Sequence, residues 1–183
     1  MKKIIFIVIL LLLILQTKTN AYAVEKAAGS SAILASLQAE KQPDNRTQNL
    51  KKFLASYNSP MADNADDFVR IADKYNLDWK LVAAIAGVES YFGQHVPYSS
   101  YNAWGWGVYG NNVIRFASWQ DGIEAVSYGL RTRYIDKWGS QNIFDIGASY
   151  AADPSWAYKV SSFIAAIERE AQGKGLETLP ISI

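Results

Sequence analysis

One helix constrains this chain more than any other feature. Residues Trp79 to Phe92 read as an apolar helix opened by Asp78 as N-cap, and it holds a single acid, Glu89. With Val82 at zero, Ala86 falls at about 40°, Ile85 at about 300° and Glu89 at about 340° around the helix axis. The acid therefore projects from the middle of the apolar stripe. A carboxylate there is costly unless it is paired, hydrogen-bonded or kept protonated. Desolvation raises a carboxyl pKa, and a raised pKa suits a general acid working near neutral pH. The same pattern also fits a structural glutamate bonded to backbone or to an arginine such as Arg131 or Arg133.

The flanking segments supply partners for that stripe. Phe68, Ile71, Ala72 and Tyr75 have helical spacing and predict a helix from about Asp63 to Tyr75. Ser118-Trp119-Gln120-Asp121 reads as a capping box, opening a helix that buries Ile123, Val126, Leu130 and Tyr134. A short helix is expected from Ile143 to Tyr150. Asp153, followed by Pro154, caps a last helix running to about Glu168. Residues 93–117 mix Gly, Pro, Ser and Asn with aromatics and predict loops, with a hairpin near Gly110-Asn111-Asn112. The compact unit expected from this pattern is 60–172. Residues 24–59 read as a spacer with disordered stretches or peripheral helices, and 173–183 as a tail.

The first 23 residues resemble a secretory leader. Lys2 and Lys3 precede an apolar run, Ile4 to Leu15, and Ala21-Tyr22-Ala23 offers a cleavage site. The run is shorter than the ~20 residues of a comfortable membrane span, and an uncleaved N-terminal anchor is the alternative. The expected location is therefore outside the cell or in its envelope, extracellular or periplasmic. The leader carries three lysines and no acid, so cleavage would leave 15 basic and 17 acidic residues. No excess of positive charge is available for nucleic acid. The absence of cysteine excludes a disulfide framework, a thiolate metal site and a cysteine nucleophile. With His95 as the one histidine, a metal site built on two or more histidines is excluded as well. We expect no cofactor and no metal, and a monomer.

Between Tyr91 and Tyr109, seven of 19 residues are aromatic: Tyr91, Phe92, Tyr98, Tyr101, Trp104, Trp106 and Tyr109. They alternate with Ser99, Ser100, Asn102 and several glycines. Flat rings cover the apolar face of a pyranose, and amides and hydroxyls meet its polar edge. The set fits a sugar-binding cleft, although any one ring taken alone fits a core aromatic better.

Four blocks carry a family resemblance. They are Val88-Glu89-Ser90-Tyr91-Phe92-Gly93, Asn102-Ala103-Trp104-Gly105, Phe116-Ala117-Ser118-Trp119-Gln120-Asp121-Gly122, and Tyr150 through Val160. Over about residues 62–170 the chain resembles the bacterial endo-β-N-acetylglucosaminidase domains that cut cell-wall peptidoglycan, members of the lysozyme-like superfamily with the lytic transglycosylases. The resemblance implies a mainly α fold of the α+β lysozyme type, in which a small irregular or β aromatic lobe flanks a cleft. It implies that Glu89 protonates the glycosidic oxygen and that Tyr150 sits over the scissile sugar. Asn102, with Gly105, would hold a turn and line the cleft. The full expected binding set is Ser90, Tyr101, Asn102, Trp104, Trp106 and Tyr109. Trp106 departs from the family pattern, which more often has a lysine after the glycine; that bears on subsite specificity rather than class.

Glycosidases commonly use two carboxylates, yet no Asp or Glu lies between Glu89 and Asp121. Two routes remain open. The substrate's 2-acetamido group attacks the anomeric carbon, or one of Asp121, Glu124, Asp145 and Asp153 reaches the cleft from another element. The expected activity is hydrolysis of β-1,4 bonds in peptidoglycan glycan strands. A lytic transglycosylase forming 1,6-anhydro-muramic ends is one alternative. A non-catalytic cell-wall glycan-binding module and a structural protein of the envelope are the others.

Overall fold

The computed structural model describes residues 44–107 and 113–173. The expected leader, the first part of the spacer and the tail from residue 174 lie outside the described residues, as does the hairpin expected near 110–112. The described chain forms six α-helices: α1 Arg46–Ser56, α2 Ala65–Lys74, α3 Leu81–Ser90, α4 Trp119–Gly129, α5 Ile143–Tyr150 and α6 Trp156–Ala171. A 3-10 turn, Ala62–Asn64, leads into α2, and α4 continues directly into a π-helical stretch, Leu130–Lys137. Mainly α is therefore correct. Among the described residues there is no strand, and those described between α3 and α4, 91–107 and 113–118, are irregular.

α1 corrects the expected domain boundary. Leu50, Phe53 and Leu54 form an i, i+3, i+4 triplet on α1, and each is at most 1% exposed. α1 packs on α2 and α6, so the compact unit begins at Asn45, not at residue 60. The helix is neither spacer nor periphery. α3 lies at the centre. All residues from Leu81 to Gly87 are buried, and α3 packs on α2, α4 and α6. A helix buried all round needs neighbours on every side, and the surrounding helices provide them.

The capping expectations hold in part. Ser118 Oγ accepts the Asp121 N–H at 3.1 Å, which starts α4, and Asn142 Oδ1 does the same for Phe144 and Asp145 at the start of α5. Asp78 and Asp153 sit two residues before the N-cap positions, Lys80 and Ser155. Each carboxylate accepts the N–H two residues on, and helix proper begins at Leu81 and Trp156.

α3 ends abruptly after Ser90. Tyr91 (φ 51°) and Phe92 (φ 58°) both adopt left-handed backbone, which costs a non-glycine residue energy unless its surroundings enforce it. Burial of Phe92 supplies that enforcement. Its N–H bonds the Ala86 carbonyl at 3.0 Å, and its ring meets Phe53, Tyr57 and Phe163 at 4.7–5.4 Å between centroids. The ring folds back over Gly87, where a Cβ would come within 2.7 Å of it. Strained backbone thus begins two residues after Glu89.

Candidate active site

Glu89 and Val88 are the two residues of α3 that escape full burial, and Glu89 is exposed. It reaches solvent because the helix stops one residue later and the loop opposite has only a glycine to present. A Cβ built on Gly105 would lie 3.4 Å from Glu89 Oε2. Gly105 has φ +58°, a conformation that side chains rarely adopt. On its other side, Glu89 Oε1 accepts the indole N–H of Trp156 at 2.6 Å. Burial pushes the Glu89 carboxyl above the usual carboxylate range, and the Trp156 bond pulls it part of the way back. Solvent access and desolvation coexist here because access needs only one open side. The arginine partners contemplated for a structural glutamate are engaged otherwise: Arg131 pairs with Asp136, and Arg133 faces the Trp138 ring.

A row of rings extends from Trp156. Tyr150 stacks on Trp156 with centroids 4.7 Å apart and planes at 23°. Trp106 lies 6.0 Å from Tyr150 and 6.3 Å from Tyr134. Trp106 gains its seat from Gly129, at the junction of α4 and the π-helical stretch; a Cβ there would lie 2.2 Å from Trp106 Cζ2. Short π-helical segments recur near functional sites, and this one carries buried Tyr134 into the ring row.

Tyr150 donates its hydroxyl to the Trp104 carbonyl at 2.8 Å. Its phenol is held well above the ordinary value by burial first, then by the charge of Glu89 and by Tyr134. Tyr150 is neutral where Glu89 titrates, so it exerts no charge in return. It stacks beside the indole that holds Glu89, but its hydroxyl is committed to the loop and its ring to Trp156. The geometry therefore gives it a positioning task.

Three of the expected binding residues are internal, which corrects their assignment. Trp104 has no exposed surface, and its indole N–H bonds the Val82 carbonyl at 2.9 Å. Asn102 is 3% exposed. Its amide donates to the carbonyls of Trp106 and Ile114 and its oxygen accepts the Trp106 N–H, all within 3.0 Å. Ser90 Oγ donates to the Ala103 carbonyl at 2.8 Å and accepts the Gly93 N–H at 2.9 Å. These side chains have spent their polar atoms and surface on shaping the loop, leaving none for a ligand. The role of Asn102 in holding a turn is realised; a role in lining a cleft is not. Tyr101 is 38% exposed and packs edge-on against Trp119 at 5.2 Å, outside the ring row around Glu89. Trp106 is in the site. Tyr109 lies outside the described residues.

Trp156 is the residue that sequence reasoning missed. It stands in the fourth block, yet its bond to Glu89 spans 67 positions and no local pattern signals it. Of the four acids considered as second carboxylates, three are engaged elsewhere. Glu124 pairs with Lys74 at 2.5 Å and accepts the Tyr75 hydroxyl. Asp145 accepts the Gln141 N–H, and Asp121 sits exposed in the first turn of α4. Asp153 binds Lys159 and Ser155, and these hold its carboxyl down at about 2, with Lys159 the larger influence. Among the described residues, no group of three or more potential metal-ligating side chains is gathered. No protein-family model matches the chain, and no curated protein matches it.

Proposed function

We propose that the chain is a glycosidase that cleaves β-1,4 bonds in peptidoglycan glycan strands, with Glu89 as general acid. One observation carries the reading. A solvent-reachable carboxyl, raised by burial, is fixed by an indole N–H and faces a bare glycine, with a row of aromatic rings beside it. The upward shift favours the protonated form that a general acid needs, and the rings suit the apolar faces of sugars.

In the proposed reaction Glu89 gives its proton to the glycosidic oxygen. The C1–O bond breaks and its electron pair leaves with that oxygen. The carbonyl oxygen of the substrate's own 2-acetamido group closes on C1, so no protein nucleophile is needed. Glu89, now a carboxylate, takes a proton from the attacking group, and the new C1–O bond releases the acetamido oxygen. The Trp156 N–H stabilises the carboxylate at that stage. Tyr150 and Trp104 hold the loop that bears Gly105.

If water attacks, the product has a reducing end. If the 6-hydroxyl of N-acetylmuramic acid attacks, the product is a 1,6-anhydro sugar. The second outcome stands as an alternative because Glu89's perturbation comes from burial and Trp156, with no neighbouring charge among its causes. Both routes need one carboxyl only. We place the enzyme in the cell envelope or outside the cell on the strength of its leader-like first 23 residues. Mass spectrometry of the fragments released from purified peptidoglycan tests the proposal. Reducing or anhydro ends support it, and intact strands after prolonged incubation refute it.

A further inference from the structure

A recess of about 230 Å³ opens beside the ring row, lined by Trp106, Gly107, Ile114, Arg133 and Tyr134. It sits close to Glu89. Gly105 faces the carboxyl, and Gly107 follows two residues later, so their α-carbons are at most about 7.6 Å apart. That is the scale of one sugar ring. The volume is below the ~300–1,000 Å³ of a drug-sized ligand site, which also points to one small unit. Two walls are aromatic and one is aliphatic. The sole charged lining residue is Arg133, which is exposed. Among the described residues no carboxylate pairs with Arg133. Asp136 takes Arg131 instead, and the Arg133 guanidinium lies 6.0 Å from the Trp138 ring. Stacking against a ring leaves the edge donors of a guanidinium free, and that edge matches a carboxylate bidentately.

We propose that this recess binds a sugar unit bearing a free carboxylate, which Arg133 reads while the half-buried Trp106 covers the ring. The inference rests on the glycosidase reading and adds a specificity to it. In a peptidoglycan strand, the lactyl carboxylate of N-acetylmuramic acid is free only where the peptide stem has been removed. The favoured substrate is then a peptide-free strand, supplied by a hydrolysis that cuts the lactyl amide.

The test compares three substrates: peptide-free glycan strands, the same strands with their carboxylates methyl-esterified, and chitohexaose, which is neutral throughout. Wild type is expected to show a lower KM for the free-acid strand than for its ester, with the preference shrinking as salt rises. A hydrogen-bonded contact to a charged group, weakened by solvent, sets the expected preference at about tenfold. Arg133→Gln is expected to bring the free-acid to ester ratio close to one through KM rather than kcat, and Arg133→Lys to keep part of it. Calorimetric binding to Glu89→Gln protein repeats the comparison without cleavage. Equal KM for acid and ester in wild type, or an undiminished ratio in Arg133→Gln, overturns the proposal alone. Failure of wild type to cleave any of the three overturns the glycosidase reading on which it rests.

Discussion

Replacing Gly129 by Ala sets a local preference against a tertiary contact, and the structure says which wins. Gly129 has ordinary right-handed helical backbone (φ −65°, ψ −40°), so alanine fits the chain without strain. Helix propensity alone would then favour alanine by about 1 kcal/mol. The new Cβ, however, would lie 2.2 Å from Trp106 Cζ2 and 2.6 Å from Cη2. Carbon atoms prefer separations of about 3.5–4 Å, so the ring must move. Overpacking of this kind costs about 1–3 kcal/mol. The expected net effect is a loss of up to about 2 kcal/mol in urea unfolding. In a Trp106→Ala background the clash disappears, and the same change should stabilise by up to about 1 kcal/mol. The double-mutant cycle should therefore report a coupling of about 1–3 kcal/mol. Stabilisation by Gly129→Ala in the wild-type background would refute the placement of Trp106 against this helix, and with it the ring row that leads to Glu89.

Trp156→Phe keeps the stacked ring but removes the N–H that stabilises ionised Glu89. The ionisation of Glu89 should move to higher pH, read as a displaced limb in the pH profile of kcat; an unmoved limb would contradict the bond. Tyr150→Phe strips the Trp104 carbonyl of its partner and should cost about 1–3 kcal/mol in unfolding free energy, with a fall in activity through disorder of the Gly105 loop. A stability unchanged from wild type would place the hydroxyl elsewhere. Asp153→Asn should destabilise at neutral pH and match wild type as pH falls towards about 2, because a lowered carboxyl contributes its stability above the unfolded pKa and loses it through the folded one. A pH-independent difference would mean that the Lys159 and Ser155 contacts do not depend on the charge.

The sequence made the helices legible where apolar spacing was regular, and α5 runs over Ile143–Tyr150 as the pattern predicted. The irregular segments were legible only as composition. Aromatic content marked the 91–109 loop but could not say which rings face inward: Trp104 is sealed in the core, whereas Trp106, two residues on, enters the site. α1 was legible from Leu50, Phe53 and Leu54 as a short peripheral helix, but its place in the core was not, because those three residues lie among Lys, Gln and Asn. The π-helical stretch was also hidden, since Ile123, Val126, Leu130 and Tyr134 read as one continuous stripe while the hydrogen bonding changes at Leu130. Glu89 was found for an incomplete reason. Its acid stands on an apolar helix as read, but the early stop after Ser90 and the bare Gly105 give it solvent. Those are tertiary facts.

The central claim is that Glu89 donates the proton, and Glu89→Gln tests it most directly. The glutamine oxygen can still accept the Trp156 N–H, so the site keeps its shape. The fold should not suffer either. A carboxyl raised by burial lowers stability as pH climbs from the unfolded pKa to the folded one, so the variant should be at least as stable as wild type at neutral pH and converge with it in acid. Loss of a general acid should lower kcat on peptidoglycan strands by about 10²–10⁴-fold with KM little changed. A folded Glu89→Gln protein that cleaves strands at the wild-type rate would contradict the account.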